Sequence, residues 1–162
     1  MEHSLKHYEI FDLDGTVICS LHRQNTLPDG SLDLERWIEN NTPEKIMQDK
    51  LLPLANFWKR IQKMRNIKIV VCTARVIGEA DIEFLKSHGL NCCEILSRPM
   101  GCNLPDWELK RNLLLGFFAS RKIPASQWKR FNFYDDNLSV LKMVDSLGIN
   151  AYNSISLNKR VA

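Results

Sequence analysis

Three apolar runs, each stopping on polar residues suited to chemistry, constrain the fold of this chain more than any other feature. Tyr8 to Phe11 ends on Asp12-Leu13-Asp14-Gly15-Thr16, Ile67 to Cys72 ends on Thr73-Ala74-Arg75, and Phe131 to Tyr134 ends on Asp135-Asp136-Asn137. Short apolar runs rich in β-branched and aromatic residues read as buried strands. Between the first two, Leu51 to Arg65 places Leu51, Leu54, Ala55, Trp58, Ile61 and Met64 near helical spacing. Strand, helix and strand make a right-handed crossover, and repeated crossovers make a parallel sheet. Downstream, the pattern predicts a helix over Ile77 to His88 with Ile82 and Leu85 on one side, closed by Gly89. It continues with a short strand over Cys93 to Leu96, a helix over Trp107 to Phe118 opened by Pro105 and Asp106, and a helix over Leu138 to Leu147 closed by Gly148. Ile149 to Tyr152 reads as a last short strand. The expected fold is α/β, a Rossmann-like parallel sheet flanked by helices. Parallel strands present their C-terminal ends along one edge, so the polar residues that end them converge there.

At 162 residues with 44% hydrophobic and 25% charged, the chain fits one domain over 1–162 that can bury a proper core. Asn25 to Asn41, with Pro28, Gly30 and several acids, is the least regular stretch, and about 17–45 is expected to be a flap or small lid. Met1 to His7 is mostly polar, and no run of about 18 apolar residues occurs, so neither a signal peptide nor a membrane span is expected and a cytoplasmic setting follows. Five cysteines, Cys19, Cys72, Cys92, Cys93 and Cys102, form no C-x-x-C pair and are expected to be reduced and partly buried. His3, His7, His22 and His88 are too scattered to form a zinc site with them. The net charge of +3 is mild. It hides basic clusters at Lys59, Arg60, Lys63, Arg65 and Lys68, at Lys110-Arg111, and from Arg121-Lys122 through Lys129-Arg130. A solvated helix face accounts for such clusters more readily than a phosphate-tracking surface.

Asp12 and Asp14 lie two residues apart where a strand breaks at a glycine. Two acids so placed lose solvation and repel each other unless a cation or proton answers them. Asp-Gly is also a common surface turn, but the other strand ends supply further carboxylates at the same edge. Three or four carboxylates suit a hard divalent cation such as Mg²⁺, which takes one or two of them together with waters and phosphate oxygens. A carboxylate beside a phosphate can attack phosphorus, and a second acid must protonate the leaving oxygen and then activate water. Lys110 and Thr73 can supply the positive charge and the hydrogen-bond donor that the transferring phosphoryl group needs. Each residue has a plainer alternative. Thr73 can cap the following helix, Lys110 can be a helix-surface lysine, and Asp135 and Asp136 can cap and charge a helix N-terminus. Arg75 either reaches a substrate phosphate or base or forms an ordinary surface salt bridge.

These residues carry a resemblance. Phe11-Asp12-Leu13-Asp14-Gly15-Thr16, Val70-Val71-Cys72-Thr73-Ala74-Arg75, Lys110 and Phe133-Tyr134-Asp135-Asp136-Asn137 are similar, in order, to the four motifs of the haloacid dehalogenase superfamily of phosphohydrolases. From the second motif onward, Val70 to Gly78, Ser97-Arg98 with Asp106 to Arg111, and Tyr134 to Gly148 resemble the 3′-phosphatase domain of phage polynucleotide kinase-phosphatases. The kinase half is absent, since no G-x-x-x-x-G-K-[ST] occurs. The resemblance implies that Asp12 is the nucleophile and a Mg²⁺ ligand, and that Asp14 is the general acid/base whose backbone carbonyl also reaches the metal. It further implies that Thr73 donates to the phosphoryl group, Lys110 neutralises it, Asp135 completes the cation site and Asp136 assists. Gly15, Thr16 and Arg75 are the candidates for substrate contact. Members of the superfamily often carry a cap between their motifs. The 56 residues between Thr16 and Thr73 include the crossover helix and leave about 30 for a lid, so an open site is expected. The expected function is a Mg²⁺-dependent phosphomonoesterase acting through an aspartyl-phosphate on a nucleotide or a nucleic-acid 3′-phosphate end. A small-metabolite phosphatase and a non-catalytic binding protein on the same fold are the alternatives.

Overall fold

In the computed structural model, which describes residues 7–161, β1 (His7–Phe11) is the middle strand of a five-stranded sheet. It is flanked by β4 (Ile67–Cys72) on one side and β6 (Asn132–Asp135) on the other, with β5 (Glu94–Leu96) and β7 (Asn150–Asn153) at the edges. Every pairing is parallel, as the crossovers require. The polar stretch Met1 to His7, in which no signal peptide is expected, lies, His7 apart, outside the described residues.

Alternation along the strands assigns the two faces. Phe11, Ile69, Val71 and Tyr134 point to one, where they meet Leu54, Ala55, Trp58 and Ile61 of α3 (Leu54–Ile61) and Phe84 and Leu85 of α4 (Glu79–Ser87). Tyr8, Ile10, Val70, Cys72 and Phe133 point to the other, against α5 (Asp106–Ser120) and α6 (Leu138–Ser146). The Phe11 ring stacks between Trp58, at 5.2 Å between centroids, and Tyr134, at 4.7 Å. The residue preceding Asp12 is therefore clamped, and truncating a fully buried Phe of this kind to Ala costs about 3–5 kcal/mol.

The stretch expected to be a flap or small lid, about 17–45, is more ordered than its sequence suggests. β2 (Ile18–Cys19) and β3 (Lys50–Leu51) pair antiparallel and enclose α1 (Leu34–Glu39) and α2 (Pro43–Ile46). Asp33 and Thr42 start these two short helices by accepting hydrogen bonds from the amides of Arg36 and Lys45. Leu51 is consequently a strand residue, and the crossover helix begins only after Pro53, later than its apolar spacing predicts. Met64 lies beyond its end and is exposed. On α4 the buried face holds Asp81, Phe84 and Leu85 while Ile82 is exposed, because Asp81 is drawn inward by an arginine described below. A C-terminal helix, α7 (Ser154–Val161), follows β7 without a sequence signal strong enough to predict it. The five cysteines are free, Cys72 buried and Cys93 exposed. Among the described residues no helix is long and apolar enough to cross a membrane.

Candidate active site

The strand register delivers the site. Phe11 pairs with both Val71 and Tyr134, so Asp12 stands level with Asp135 at the C-terminal edge of the sheet. There the chain folds back on itself: the Leu13 carbonyl accepts hydrogen bonds from the amides of Thr16, Val17 and Ile18 at 3.0–3.1 Å. Gly15 has φ +77°, and a Cβ at this position would sit 2.3 Å from Asp136 Oδ2. Both the left-handed backbone and the close approach require glycine. The Thr16 hydroxyl lies 3.3 Å from Asp12 Oδ2 and 3.0 Å from Ser154 Oγ, while Ser154 donates to the Gly15 carbonyl at 3.2 Å. Asn158, one turn further along α7, donates to the Thr16 carbonyl at 2.9 Å and accepts from the Leu54 amide at 2.8 Å. Thr16 is sealed from solvent and committed to these partners. Its side chain, expected as a substrate contact, instead shapes the loop around Asp12.

Carboxylate oxygens of Asp12, Asp135 and Asp136 lie within 4.8 Å of one another. Lys110, buried from the first turns of α5, donates to Asp12 at 2.9 Å and to Asp135 at 2.7 Å. It is not a helix-surface lysine. Nor do the two acids cap α6. That cap is Asn137, whose side chain accepts from the amides of Ser139 and Val140, while Asp135 Oδ1 accepts the Asn137 amide at 3.0 Å and its Oδ2 faces Lys110. Burial pushes the Asp12 carboxyl up to about 7, with Asp135 adding repulsion and Lys110 opposing both. Burial and the charge of Asp12 push Asp136 up to about 6. Burial acts against the Lys110 ammonium, but its two carboxylate partners outweigh that and hold its pKa above the ordinary lysine value.

Asp14 faces the other way. Arg75 donates to both of its oxygens, at 2.7 and 2.6 Å, and Ser20 donates to Oδ1 at 2.6 Å. Burial alone raises this carboxyl, yet the hydrogen bonds and charge of Arg75, with Ser20, carry it below the ordinary carboxylate value. Arg75 is neither a surface salt bridge nor a free substrate contact. It is 5% exposed, and its remaining donors go to Asp81 at 2.7 Å and to Asp49 at 3.1 Å. Asp49 is also gripped by Arg23 through two hydrogen bonds of 2.9 Å and by His22 at 2.7 Å. Arg23 is itself buried and lies 4.4 Å from the Trp37 ring of α1. A chain of buried ion pairs thus joins the lid to Asp14. Nothing in local sequence spacing marks Ser20, Arg23, Asp49 or Asp81 as members of it.

Thr73 follows β4 and is buried. Its hydroxyl accepts the Arg75 amide at 3.1 Å, which leaves its own hydrogen to donate. It does not cap α4, where Gly78 is the N-cap residue and Asp81 accepts the Gly78 amide at 2.9 Å. The cluster's donor set is all oxygen, and its three acids face one ammonium, so two negative charges are left over once all three ionise. That fits a hard divalent cation held by Asp12, Asp135 and Asp136. The carboxylate of Asp14, turned toward Arg75 and Ser20, is not part of this group.

The fold is that of haloacid dehalogenase hydrolases. A haloacid dehalogenase-like protein of Streptococcus pneumoniae superposes with TM-score 0.61 at 10% identity, over 96% of this chain and 91% of that one. A superfamily hydrolase of Geobacter sulfurreducens gives 0.64 at 14% identity, over 91% and 89%. A chain in the Pnkp1/Rnl/Hen1 RNA repair complex gives 0.64 at 22% identity, over 94% of this chain and 43% of that one. In sequence, the 5′-deoxynucleotidase of Escherichia phage T5 is 39% identical over 84 residues, half of this chain. That alignment covers 34% of the phage enzyme, so the chain spans about a third of the length of the relative it matches. Residues 1–101, which hold the first two motifs and the lid, match the family described as bacteriophage T5 5′-deoxynucleotidase, and the chain belongs to that family.

Proposed function

We propose that this chain is a Mg²⁺-dependent phosphomonoesterase of nucleotides that works through an aspartyl-phosphate. The observation that carries the proposal is the placement of Asp12 between a surplus of carboxylates and Lys110 at the C-terminal edge of the sheet. Asp12 offers a carboxylate oxygen to phosphorus: the new O–P bond forms as the ester O–P bond breaks, and the leaving alkoxide takes a proton from Asp14. Water then attacks the acyl phosphate while Asp14 recovers that proton, and phosphate and free Asp12 result. Arg75 and Ser20 favour the ionised form of Asp14, which readies it for the water step, and the proton it gives to the leaving group is taken up from solvent before the first step. Lys110 holds Asp12 in place and neutralises the charge that gathers on the phosphoryl oxygens, and Thr73 donates its hydroxyl hydrogen to one of them. A divalent cation in the carboxylate cluster would supply Lewis acidity and charge compensation.

Family membership favours a deoxynucleoside 5′-monophosphate as substrate. The likeness to the RNA repair assembly, together with the resemblance to polynucleotide 3′-phosphatases, keeps a phosphorylated strand end as the second substrate to test. Phosphate release should be measured on deoxynucleoside 5′-monophosphates and on 3′-phosphorylated oligonucleotides, with Mg²⁺ and with chelator. Wild-type turnover that needs Mg²⁺ and vanishes in Asp12→Asn is expected. Equal inactivity of both proteins on every nucleotide contradicts the proposal.

A further inference from the structure

A groove of about 380 Å³ separates α5 from α6 and is lined by Trp107, Arg111, Ser139, Lys142, Met143 and Ser146. No carboxylate lines it. Arg111 and Lys142 are exposed and have no carboxylate partner among the described residues. Trp107 is 42% exposed, although burial in a core is the usual fate of so large an apolar ring. The groove starts at the ends of two helices that border the site. Trp107 lies one turn before Lys110 on α5, and Ser139 sits in the first turn of α6, directly after Asp135, Asp136 and their capping neighbour Asn137. Its mouth therefore opens at the same sheet edge as the carboxylate cluster, while Arg111 and Lys142 extend it away along the flank.

We propose that this groove binds a single-stranded polynucleotide next to its terminal phosphate, with Trp107 stacking on a base and Arg111 and Lys142 meeting backbone phosphates. An exposed aromatic beside two unpaired cations is the combination that sequence-tolerant single-strand sites use. A bare mononucleotide whose phosphate occupies the carboxylate site has no second phosphate to place between the two cations, whereas a strand does. The size also fits, lying near the lower end of the ~300–1,000 Å³ typical of small-ligand sites and so suited to about one nucleotide beyond the scissile group. This inference rests on the proposed phosphomonoesterase activity for its orientation, and its test is separable from that activity.

The test is fluorescence anisotropy of labelled single-stranded DNA and RNA oligonucleotides with the full chain carrying Asp12→Asn, so that binding is read without turnover. Adding Trp107→Ala and Lys142→Glu should weaken strand binding about tenfold or more. Lys142→Ala alone should lower the slope of log affinity against log salt by ~0.7. Lys59→Glu, the same charge change on α3, should leave binding unmoved, and thermal melts should show the groove variants folded. Preference for RNA over DNA, or the reverse, identifies the sugar that the groove reads and supports the assignment either way. If strand binding is insensitive to the groove variants, or if the groove holds an acidic peptide of equal charge more tightly than the strand, the assignment is overturned. Groove-dependent strand binding by a chain whose wild type releases phosphate from no nucleotide would remove the proposed activity and keep the groove. Mononucleotide hydrolysis with no groove-dependent strand binding would do the opposite.

Discussion

Two buried charge clusters lie on either side of the short segment Asp12-Leu13-Asp14, and they have been built to opposite ends. Around Asp14, the guanidinium groups of Arg75 and Arg23 are matched oxygen by oxygen to Asp14, Asp49 and Asp81, with Ser20 and His22 completing the set. Around Asp12, one ammonium is shared between two carboxylates, and Asp136 pairs with no cation among the described residues. The first cluster is saturated and joins the lid to the sheet. The second is left short of positive charge at the sheet edge where ligands bind. Identical residue types thus make a strut that positions Asp14 in one place and a cluster short of positive charge in the other, and the number of donors per carboxylate decides which.

The sharpest way to break this contrast is to remove one cation from each cluster. Lys110→Met should lower turnover about a hundredfold or more, as the loss of a preorganised charge at a reacting phosphoryl group does. A folded Lys110→Met protein with wild-type turnover in a phosphate-release assay would remove Lys110 from the site. Arg75→Met should be felt by the fold as well as by turnover, since Arg75 also positions Asp14. Leaving buried Asp81 without its cation, and Asp14 and Asp49 each short of one donor residue, costs about 3–5 kcal/mol, read by urea denaturation, and added Mg²⁺ should not restore the loss because the strut has no place for the ion. Recovery by Mg²⁺ would merge the two clusters into one.

Gly15→Ala sharpens the boundary between them. A Cβ there meets Asp136 at 2.3 Å and forces a non-glycine residue to φ +77°, strain of about 1–3 kcal/mol. Displacing Asp136 should weaken Mg²⁺ binding in calorimetry while the ion pairs around Arg75 persist. Unchanged Mg²⁺ affinity would separate Asp136 from the cation site.

The smallest effect is a pH dependence. Asp12 rises from 3.8 to about 7 on folding and Asp136 to about 6. Between those limits the folded chain keeps protons that the unfolded chain releases, so these groups subtract stability as pH climbs from about 4 to 7. Asp14, held below its ordinary value, adds its stability above about 4 and contributes no slope across the upper part of that window. A cation competes with the protons on Asp12 and Asp136. The gain in Tm from Mg²⁺ should therefore be larger at pH 8 than at pH 5. An equal or larger gain at pH 5 would place the ion elsewhere.

What was legible in the sequence follows the same division. β1, β4 and β6 are apolar runs whose faces alternate, and the residues at their ends are set by strand register, so Asp12, Thr73, Asp135 and Asp136 are brought to one edge by elements that periodicity reveals. Lys110 is carried by a long helix with a clear start. The strut was not legible. Asp49 precedes a two-residue strand, Arg23 ends a single 3₁₀ turn, and both pair with residues 26 positions apart, so no local pattern announces them. From sequence Arg75 reads as either a substrate contact or a surface salt bridge, because its three acidic partners come from the loop after β1, the stretch between β2 and β3, and α4. Ser154 and Asn158 belong to a helix of low hydrophobicity whose role is to hold the Thr16 loop.

The central claim is that Asp12 is the residue that becomes phosphorylated. Rapid acid quenching, at times within the first turnover, of a wild-type reaction with a radiolabelled deoxynucleoside 5′-monophosphate and Mg²⁺ tests it directly. The prediction is hydroxylamine-labile label on the peptide that contains Asp12, absent when Asp12→Asn is added. Phosphate release by the wild type at full rate, with no label on Asp12 under any quench time, would contradict it.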